Sequence, residues 1–245
     1  MRAIKIVLWT VLILVIAPIL ILVLVPPSPP SHQRQGEYET LGVLLERVDY
    51  QGKPTTALEY EANVFRDWGG MARELLGISG DTSSAVALLT DSSFSNGTIE
   101  VDLASTVVAK YLGLARGFAG IAFRVSEDLE SYELVYLRPA NGRSNNQTQR
   151  SHTVQYAAHP DFHFDVSRRV APGVFESSAN IGLDEWIHLR IEVNEQQAEI
   201  YVDGVQVLMV DKLILGDERS GGIALWVGLG TNAYFSNLEI TLRET

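Results

Sequence analysis

The sequence predicts an all-β domain that follows one N-terminal transmembrane helix. Apolar and polar residues alternate in short stretches such as 98–103 and 120–125, as they do in strands with one buried face. Asp203 and Gly204 are typical of a two-residue β-hairpin turn. Residues 6–25 form one uncharged apolar run, which at ~1.5 Å per residue is long enough to cross a membrane as a helix.

The apolar run is predicted to be an uncleaved signal anchor. Arg2 and Lys5 precede it, and the following sequence, PPSPPSHQRQ, has no small-residue cleavage site. Because basic flanking residues usually stay on the cytoplasmic side, we expect a single-pass membrane protein whose C-terminal domain is periplasmic or extracellular. The predicted boundaries are residues 1–25 for the anchor, 26–37 for a proline-rich linker and 38–245 for the globular domain.

Strands are predicted in order along this domain. Residues 38–60 contain two strands around a turn at 51–54. Three more strands are predicted within 94–141, and residues 186–193 alternate again between apolar and polar side chains. Further strands are predicted at 198–202, 222–227 and 234–242.

Two segments of the domain lack a clear period. Residues 61–80 contain either a short helix or a long loop, in which Trp68 and Arg73 either shape a binding cleft or pack an insertion onto the sheets. Residues 141–178 are polar, but they also carry aromatic residues and histidines, so we expect an ordered loop system with short strands.

Composition excludes several classes of function. The 245-residue chain has 19 basic and 30 acidic residues, a net charge of −11, so a nucleic-acid partner is not expected. It has no cysteine, which excludes disulfides and thiolate metal sites.

Six consecutive segments carry a family resemblance: FSNGTIEVDL, GFAGIAFR, YELVYLRPANGR, EWIHLRIEV, AEIYVDG and GGIALWVGLGTNAYFSNLEI. The series, roughly residues 94–242, resembles the concanavalin A-like lectin/glucanase superfamily, in the branch with laminin-G-like and 3-keto-disaccharide hydrolase-like domains. The resemblance implies a two-sheet antiparallel jelly-roll sandwich with a concave surface that faces a glycan. It does not separate binders from enzymes, because one fold hosts both. Six apolar residues are expected between the two sheets: Ile99, Val101, Ile121, Phe123, Leu189 and Ile191.

Glu100 and Asp102 resemble part of a glucanase motif, in which two glutamates flank an aspartate on one strand and act as nucleophile and acid/base. The third carboxylate is missing, since Ala104 and Ser105 stand where it would be needed. We therefore interpret Glu100 and Asp102 as residues on the polar face of a strand, and the catalytic residues stay unassigned.

Candidate ligand-binding residues are aromatic and charged side chains on the predicted strands. Aromatic rings can bind the C–H faces of sugars, and arginine is suited to neighbouring hydroxyls. The candidates within 94–141 are Arg124, Tyr132, Glu133, Tyr136 and Arg138. In the alternative interpretation, the tyrosines pack in the interior and Glu133 pairs with an arginine. Trp226 is either a stacking platform or a tryptophan buried between the sheets.

Three histidines, His152, His159 and His163, lie close together in the irregular segment. They either bind a metal, or His152 belongs with Gln155 and Tyr156 to a polar loop that faces a sugar, or the segment is a plain surface loop. Many relatives bind calcium, so the resemblance leaves a divalent cation such as calcium open.

Three functions are compatible with these patterns. The leading hypothesis is a membrane-anchored carbohydrate-binding domain for oligo- or polysaccharides. The alternatives are a glycoside hydrolase of the 3-keto-disaccharide type and a non-catalytic scaffolding module of the cell envelope.

Overall fold

The computed structural model describes residues 30–61, 85–108, 111, 114–216 and 219–243. The predicted span at 6–25 and the segment with Trp68 and Arg73 lie outside these residues. Within them, no helix is both long and apolar enough to cross a membrane.

Fifteen strands of the described chain form two antiparallel sheets, as the alternating pattern predicts. The eight-stranded sheet has the order β1 (His32–Gln35), β2 (Tyr38–Leu41), β5 (Val86–Leu89), β14 (Gly222–Val227), β7 (Ala119–Val125), β8 (Tyr132–Leu137), β9 (Val154–His159) and β10 (Glu176–Ser177). The seven-stranded sheet has the order β13 (Val205–Val210), β12 (Gln197–Val202), β11 (Ile187–Asn194), β6 (Gly97–Val107), β15 (Thr231–Leu242), β4 (Lys53–Tyr60) and β3 (Val43–Tyr50).

Two hairpins confirm the predicted turns. Asp203 and Gly204 join β12 to β13 with φ angles of 50° and 78°, and Gln51 and Gly52 join β3 to β4 with φ angles of 47° and 80°. Two consecutive positive φ angles are typical of the turn type whose twist matches that of antiparallel strands.

The two sheets share one apolar core. The six residues predicted for it, Ile99, Val101, Ile121, Phe123, Leu189 and Ile191, are each at most 1% exposed, which confirms the sandwich. A second apolar cluster contains residues of the eight-stranded sheet but none of the other sheet. Its members alternate with the core residues, as Ala122 does with Ile121 and Phe123, so they lie on the opposite side of the sheet, which we call the outer face.

The sheet begins earlier than the sequence suggests. β1 lies within the predicted linker 26–37, and it pairs with β2 from His32 opposite Leu41 to Gln35 opposite Tyr38. All four of its side chains are exposed, so it has no apolar alternation by which the sequence could reveal it.

Three short helices lie between β8 and β10: α1 (Pro139–Gly142), α2 (Gln147–Arg150) and α3 (Phe164–Val170). The segment predicted as an ordered loop system, 141–178, therefore contains β9, β10 and two complete helices. These helices are only four and seven residues long, too short for a periodic apolar stripe to predict them.

Candidate functional site

A polar and aromatic group of side chains lies at one end of the outer face. We call it the aromatic–arginine cluster. Its members are Phe118, Tyr136, Arg138, His152, Gln155, Phe164, Arg168, Glu176 and Trp226.

Gly120 allows the two central rings of the cluster to meet. On β7, Gly120 is paired with Tyr136 of β8 on one side and with Trp226 of β14 on the other. A Cβ atom at this position would lie 2.1 Å from the carbonyl oxygen of Val135 and 2.7 Å from the Cβ of Tyr136. Because Gly120 has no side chain, the rings of Tyr136 and Trp226 contact each other, with centroids 4.9 Å apart.

Arg138 follows β8 and joins the aromatic side chains to the polar ones. Its guanidinium donates to the hydroxyl of Tyr136 (2.6 Å), to the carbonyl of His152 (2.9 Å) and to Oε1 of Gln155 (3.3 Å). Its Cζ lies 4.8 Å from the ring centroid of Tyr136 and 5.6 Å from that of Phe164. Arg138 is only 5% exposed, and this burial lowers the pKa of its guanidinium, which nevertheless keeps its proton at neutral pH.

A charged group borders Arg138. Arg168 of α3 donates to both carboxylate oxygens of Glu176, with Nε at 3.1 and 3.0 Å and Nη2 at 2.8 Å. Nε2 of His152 lies 3.1 Å from the same carboxylate. Burial and the nearby Arg168 lower the pKa of His152 below its usual 6.5, so the imidazole is neutral at pH 7.

The structure brings five of the predicted ligand-binding residues together. They are Tyr136, Arg138, His152, Gln155 and Trp226, all members of the cluster. Trp226 is half-buried on the outer face and does not lie between the sheets.

Arg124 is placed differently from the prediction. It lies where the β7–β14 register shifts, has a φ of 54° and is fully buried. Its guanidinium donates to the carbonyls of Ser95 (2.7 Å), Glu195 (2.7 Å) and Gly216 (2.7 Å). Arg124 joins three loops and does not face the outer surface. The register shift is a β-bulge, and it breaks the alternation that predicted Arg124 on the outer face.

Glu133 and Tyr156 are also turned into the sandwich. Alternation along β8 and β9 points them away from Tyr136 and Gln155. Tyr156 donates its hydroxyl proton to Oε2 of Glu133 (2.5 Å) and accepts from the amide of Ile214 (2.8 Å), while the amide of Leu215 donates to Oε1 of Glu133 (2.9 Å). Burial raises the pKa of Glu133. This pair holds the loop after β13, and neither side chain lies in the cluster.

Tyr132 and two of the histidines lie at the other end of the outer face. Tyr132 stacks on His159, with ring centroids 4.8 Å apart, and Nδ1 of His159 lies 3.3 Å from Nε2 of His163. Burial and His163 lower the pKa of His159 to about 4. His152 precedes β9 whereas His159 ends it, roughly 20 Å away for an extended strand.

The three histidines therefore do not meet at one site. Among the described residues, no group of three or more histidine and carboxylate side chains is arranged to hold a metal ion. A cation such as calcium stays a prediction.

Glu100 and Asp102 lie on the far side of the molecule, on the face of the seven-stranded sheet that is turned away from the core. Asp102 accepts hydrogen bonds from Nζ of Lys53 (2.7 Å) and Nδ2 of Asn237 (2.8 Å), and it lies 2.9 Å from Nδ1 of His188. Glu100 lies 3.4 Å from Nε2 of His188. Both acids are polar-face residues, as interpreted from the sequence.

The sequence did not single out four members of the cluster. Phe118 lies two residues before Gly120, so alternation extended back from β7 predicts that it shares the outer face with Gly120. Phe164, Arg168 and Glu176 reach the cluster through α3 and β10, and no spacing rule in the irregular segment predicts those contacts.

Fold and site define the class of protein: a two-sheet jelly-roll sandwich with a polar and aromatic cluster on the outer face of one sheet. The family model of the 3-keto-alpha-glucoside-1,2-lyase-like domain matches residues 56–241. The chain thus belongs to this family, within the concanavalin A-like superfamily. No curated protein sequence matches it.

Two solved structures from Bacillus subtilis have a similar fold. The carbohydrate-binding module CBM66 from Bacillus subtilis aligns with a TM-score of 0.53 at 16% identity, over 84% of this chain and 95% of the module. A Bacillus subtilis protein of unknown function with a galectin-like fold aligns with a TM-score of 0.50 at 9% identity, over 89% and 100%. The β-glucanase of Bacillus licheniformis has a TM-score of 0.43 at 13% identity, over 88% and 97%. At these identities the likeness concerns the fold alone.

Proposed function

We propose that this domain binds carbohydrate at the aromatic–arginine cluster. The observation that carries the proposal is the contact of the Trp226 and Tyr136 rings across Gly120, beside the guanidinium of Arg138. Flat apolar rings next to a planar hydrogen-bond donor suit a sugar, which has C–H faces and vicinal hydroxyls. The family match and the likeness to a carbohydrate-binding module support the same class of ligand.

The rim of the cluster is accessible. Trp226, Phe118 and His152 are each half-buried, so part of each ring reaches solvent. Asn141 of α1 donates to the carbonyl of His152 (3.3 Å), while its own Oδ1 is buried and has no hydrogen-bond partner among the described residues. Buried acceptors normally have a donor, and a sugar hydroxyl would supply one here.

The test is isothermal titration of the purified full-length chain against a broad panel of oligo- and polysaccharides. Trp226→Ala should weaken binding about tenfold or more, since stacking on an aromatic ring contributes about 1 kcal/mol beyond the area it buries. Trp186→Ala is the matched control, because Trp186 precedes β11 in the other sheet. Absence of binding across the panel would reject the proposal. An equal loss of affinity in the Trp226 and Trp186 variants would mean that the glycan does not bind at the cluster.

A second candidate function is cleavage of a 3-keto-glucoside at the same cluster. The family description and the neutral His152 beside Glu176 favour it, because a neutral imidazole can accept a proton. Incubation with 3-keto-glucosides, with and without a chelator, should then release sugar, and His152→Gln should abolish the release. His159→Gln is the control. No released sugar under either condition would reject catalysis and leave binding.

We also propose that residues 6–25 anchor the domain at the outer side of a membrane. The support is the apolar run and the basic residues before it. Cell fractionation of the full-length chain should place it with membranes, and protease added outside the membrane should degrade the domain. Recovery in the soluble fraction would contradict the anchor. A domain that is anchored but binds no glycan would favour the scaffolding module.

A further inference from the structure

We infer that the cluster selects an acidic glycan, one whose sugar carboxylate pairs with Arg138 and Arg168. The inference rests on the proposed carbohydrate function and names the chemical class of its ligand. Three observations carry it: Arg138 makes no direct ion pair among the described residues, the charges of the cluster sum to a positive value, and the cations belong to the same group of side chains as the aromatic rings.

Arg138 is a buried cation that makes no direct ion pair among the described residues, and the nearby carboxylate of Glu176 is already bound by Arg168. Its hydrogen-bond acceptors are a hydroxyl, a backbone carbonyl and an amide oxygen, none of which carries a charge. No carboxylate of the described residues forms an ion pair with it. A buried charge is costly unless an opposite charge compensates it. Dipoles and aromatic rings reduce this cost, but a bound anion would neutralise the charge.

The cluster as a whole is positive. It contains two guanidinium groups, Arg138 and Arg168, and one carboxylate, Glu176, while His152 is neutral at pH 7. The formal sum is therefore +1, although the whole chain carries −11. The negative net charge of the protein repels polyanions in general. The attraction for an acidic glycan would therefore come from the local positive charge of the cluster.

Successive contacts connect the two cations to the aromatic rings, since Arg138 lies against Tyr136 and Phe164, and Arg168 lies against Phe164. Tyr136 contacts both the ring of Trp226 (4.9 Å) and the Cζ of Arg138 (4.8 Å). Arg168 uses only Nε and Nη2 for Glu176, and its side chain is 32% exposed. A carboxylate of a bound glycan can therefore approach Arg168 from solvent. Arginine pairs with carboxylates through two parallel hydrogen bonds.

The experiment compares matched pairs of glycans that differ only in the carboxylate. Each acidic polysaccharide, for example a polygalacturonate or a glucuronate-containing polymer, is titrated beside the same polymer with its carboxylates reduced to alcohols. The full-length chain should prefer the acidic member about tenfold or more, as expected when charged hydrogen bonds replace neutral ones. The preference should shrink as salt is raised.

Two variants locate the preference. Arg138→Met removes the buried cation and keeps a similar length, and Arg168→Gln removes the exposed one. Each should reduce the ratio of the affinity for the acidic polymer to that for the reduced polymer to about twofold or less, whatever its effect on the affinity for the reduced polymer itself. Arg169→Gln is the matched control, because Arg169 is next to Arg168 but exposed and outside the cluster. Thermal unfolding verifies that each variant is folded.

The outcomes separate the two proposals. Equal affinity for acidic and reduced polymers, or preference for the reduced ones, overturns the acidic-glycan inference and leaves carbohydrate binding standing. Binding to no polymer of either kind overturns both. A preference for the acidic polymer that survives in both arginine variants also overturns the inference, because the carboxylate would then bind elsewhere on the chain.

Discussion

At the scale of single residues, Arg124 shows how a charged side chain can serve the fold. One guanidinium donates to the carbonyls of Ser95, Glu195 and Gly216, which lie far apart in the sequence. Three loop carbonyls, which regular strand pairing does not satisfy, thereby gain a hydrogen-bond donor. Arginine is suited to this role because its planar group presents donors in several fixed directions.

We expect Arg124→Lys to lower the free energy of unfolding by about 2–4 kcal/mol, because a single ammonium cannot reach all three carbonyls and leaves some unpaired. Urea denaturation measures the change. Arg190→Lys is the matched control, since Arg190 forms a partly exposed pair with Glu192 and should change stability by less than about 0.5 kcal/mol. Similar losses in both variants would contradict this role of Arg124.

His188 gives the far face of the seven-stranded sheet a pH dependence. The hydrogen bond with Asp102 raises the pKa of His188 above its usual 6.5, and Glu100 adds to this against the effect of burial. For Asp102, burial alone would raise the pKa, but the hydrogen bonds from Lys53, His188 and Asn237 lower it overall. Protonated His188 therefore stabilises the folded state.

The sign of the effect follows from linkage. A raised histidine pKa contributes stability that is fully present below about pH 6.5 and is lost as the pH rises through the folded-state pKa. His188→Gln should therefore destabilise the protein more at pH 5.5 than at pH 9. The difference should be a few tenths of a kcal/mol up to about 1, since the side chain is 43% exposed. Urea unfolding at both pH values measures it, and equal losses would refute the assignment.

Residue identities alone predict part of the site. Alternation places Tyr136 and Tyr132 on one face of β8 and Glu133 on the other. The sequence of β8 therefore predicts which of its side chains face outward and which face the core. The placement of Arg124 was not predictable, because one extra residue in a bulge reverses the side to which a chain points. The contact between Arg138 and α3 was not predictable either, since it joins residues separated by irregular chain.

At the scale of elements, the cluster depends on the close approach of β7 to its two neighbours. Gly120 of β7 lies between Trp226 of β14 and Tyr136 of β8, and it has no side chain to keep these two rings apart. A glycine inside a strand often marks such an approach of other groups to the backbone. Sequence analysis predicted all three strands, but not the order that makes β14 a neighbour of β7.

Gly120→Ala should destabilise the domain by about 1–3 kcal/mol, because the added Cβ would overlap backbone atoms of Val135 and Tyr136. It should also weaken glycan binding, since β8 must move and carry Tyr136 away from Trp226. Denaturation and titration of the same preparation measure both effects. Unchanged stability together with unchanged affinity would mean that the strands do not pack as closely as described.

At the scale of the whole molecule, stability comes from the apolar layer between the sheets. Ile191 of β11 is fully buried there, whereas Val205 of β13 is 63% exposed. Ile191→Ala should lower the free energy of unfolding by about 2–5 kcal/mol through lost burial and the cavity left behind. Val205→Ala is the control and should change it by less than about 0.5 kcal/mol. Comparable losses would contradict the two-layer arrangement.

The position of β15 has a consequence for biosynthesis. This strand, Thr231–Leu242, lies between β6 and β4, although it is the last of the fifteen along the chain. While residues 231–242 are still inside the ribosome, the place of β15 between β6 and β4 is empty. The edge of each of these two strands that will pair with β15 then exposes a row of unpaired amides and carbonyls. The nascent domain is therefore expected to need protection by a chaperone until translation has passed this strand, and only then can both layers close.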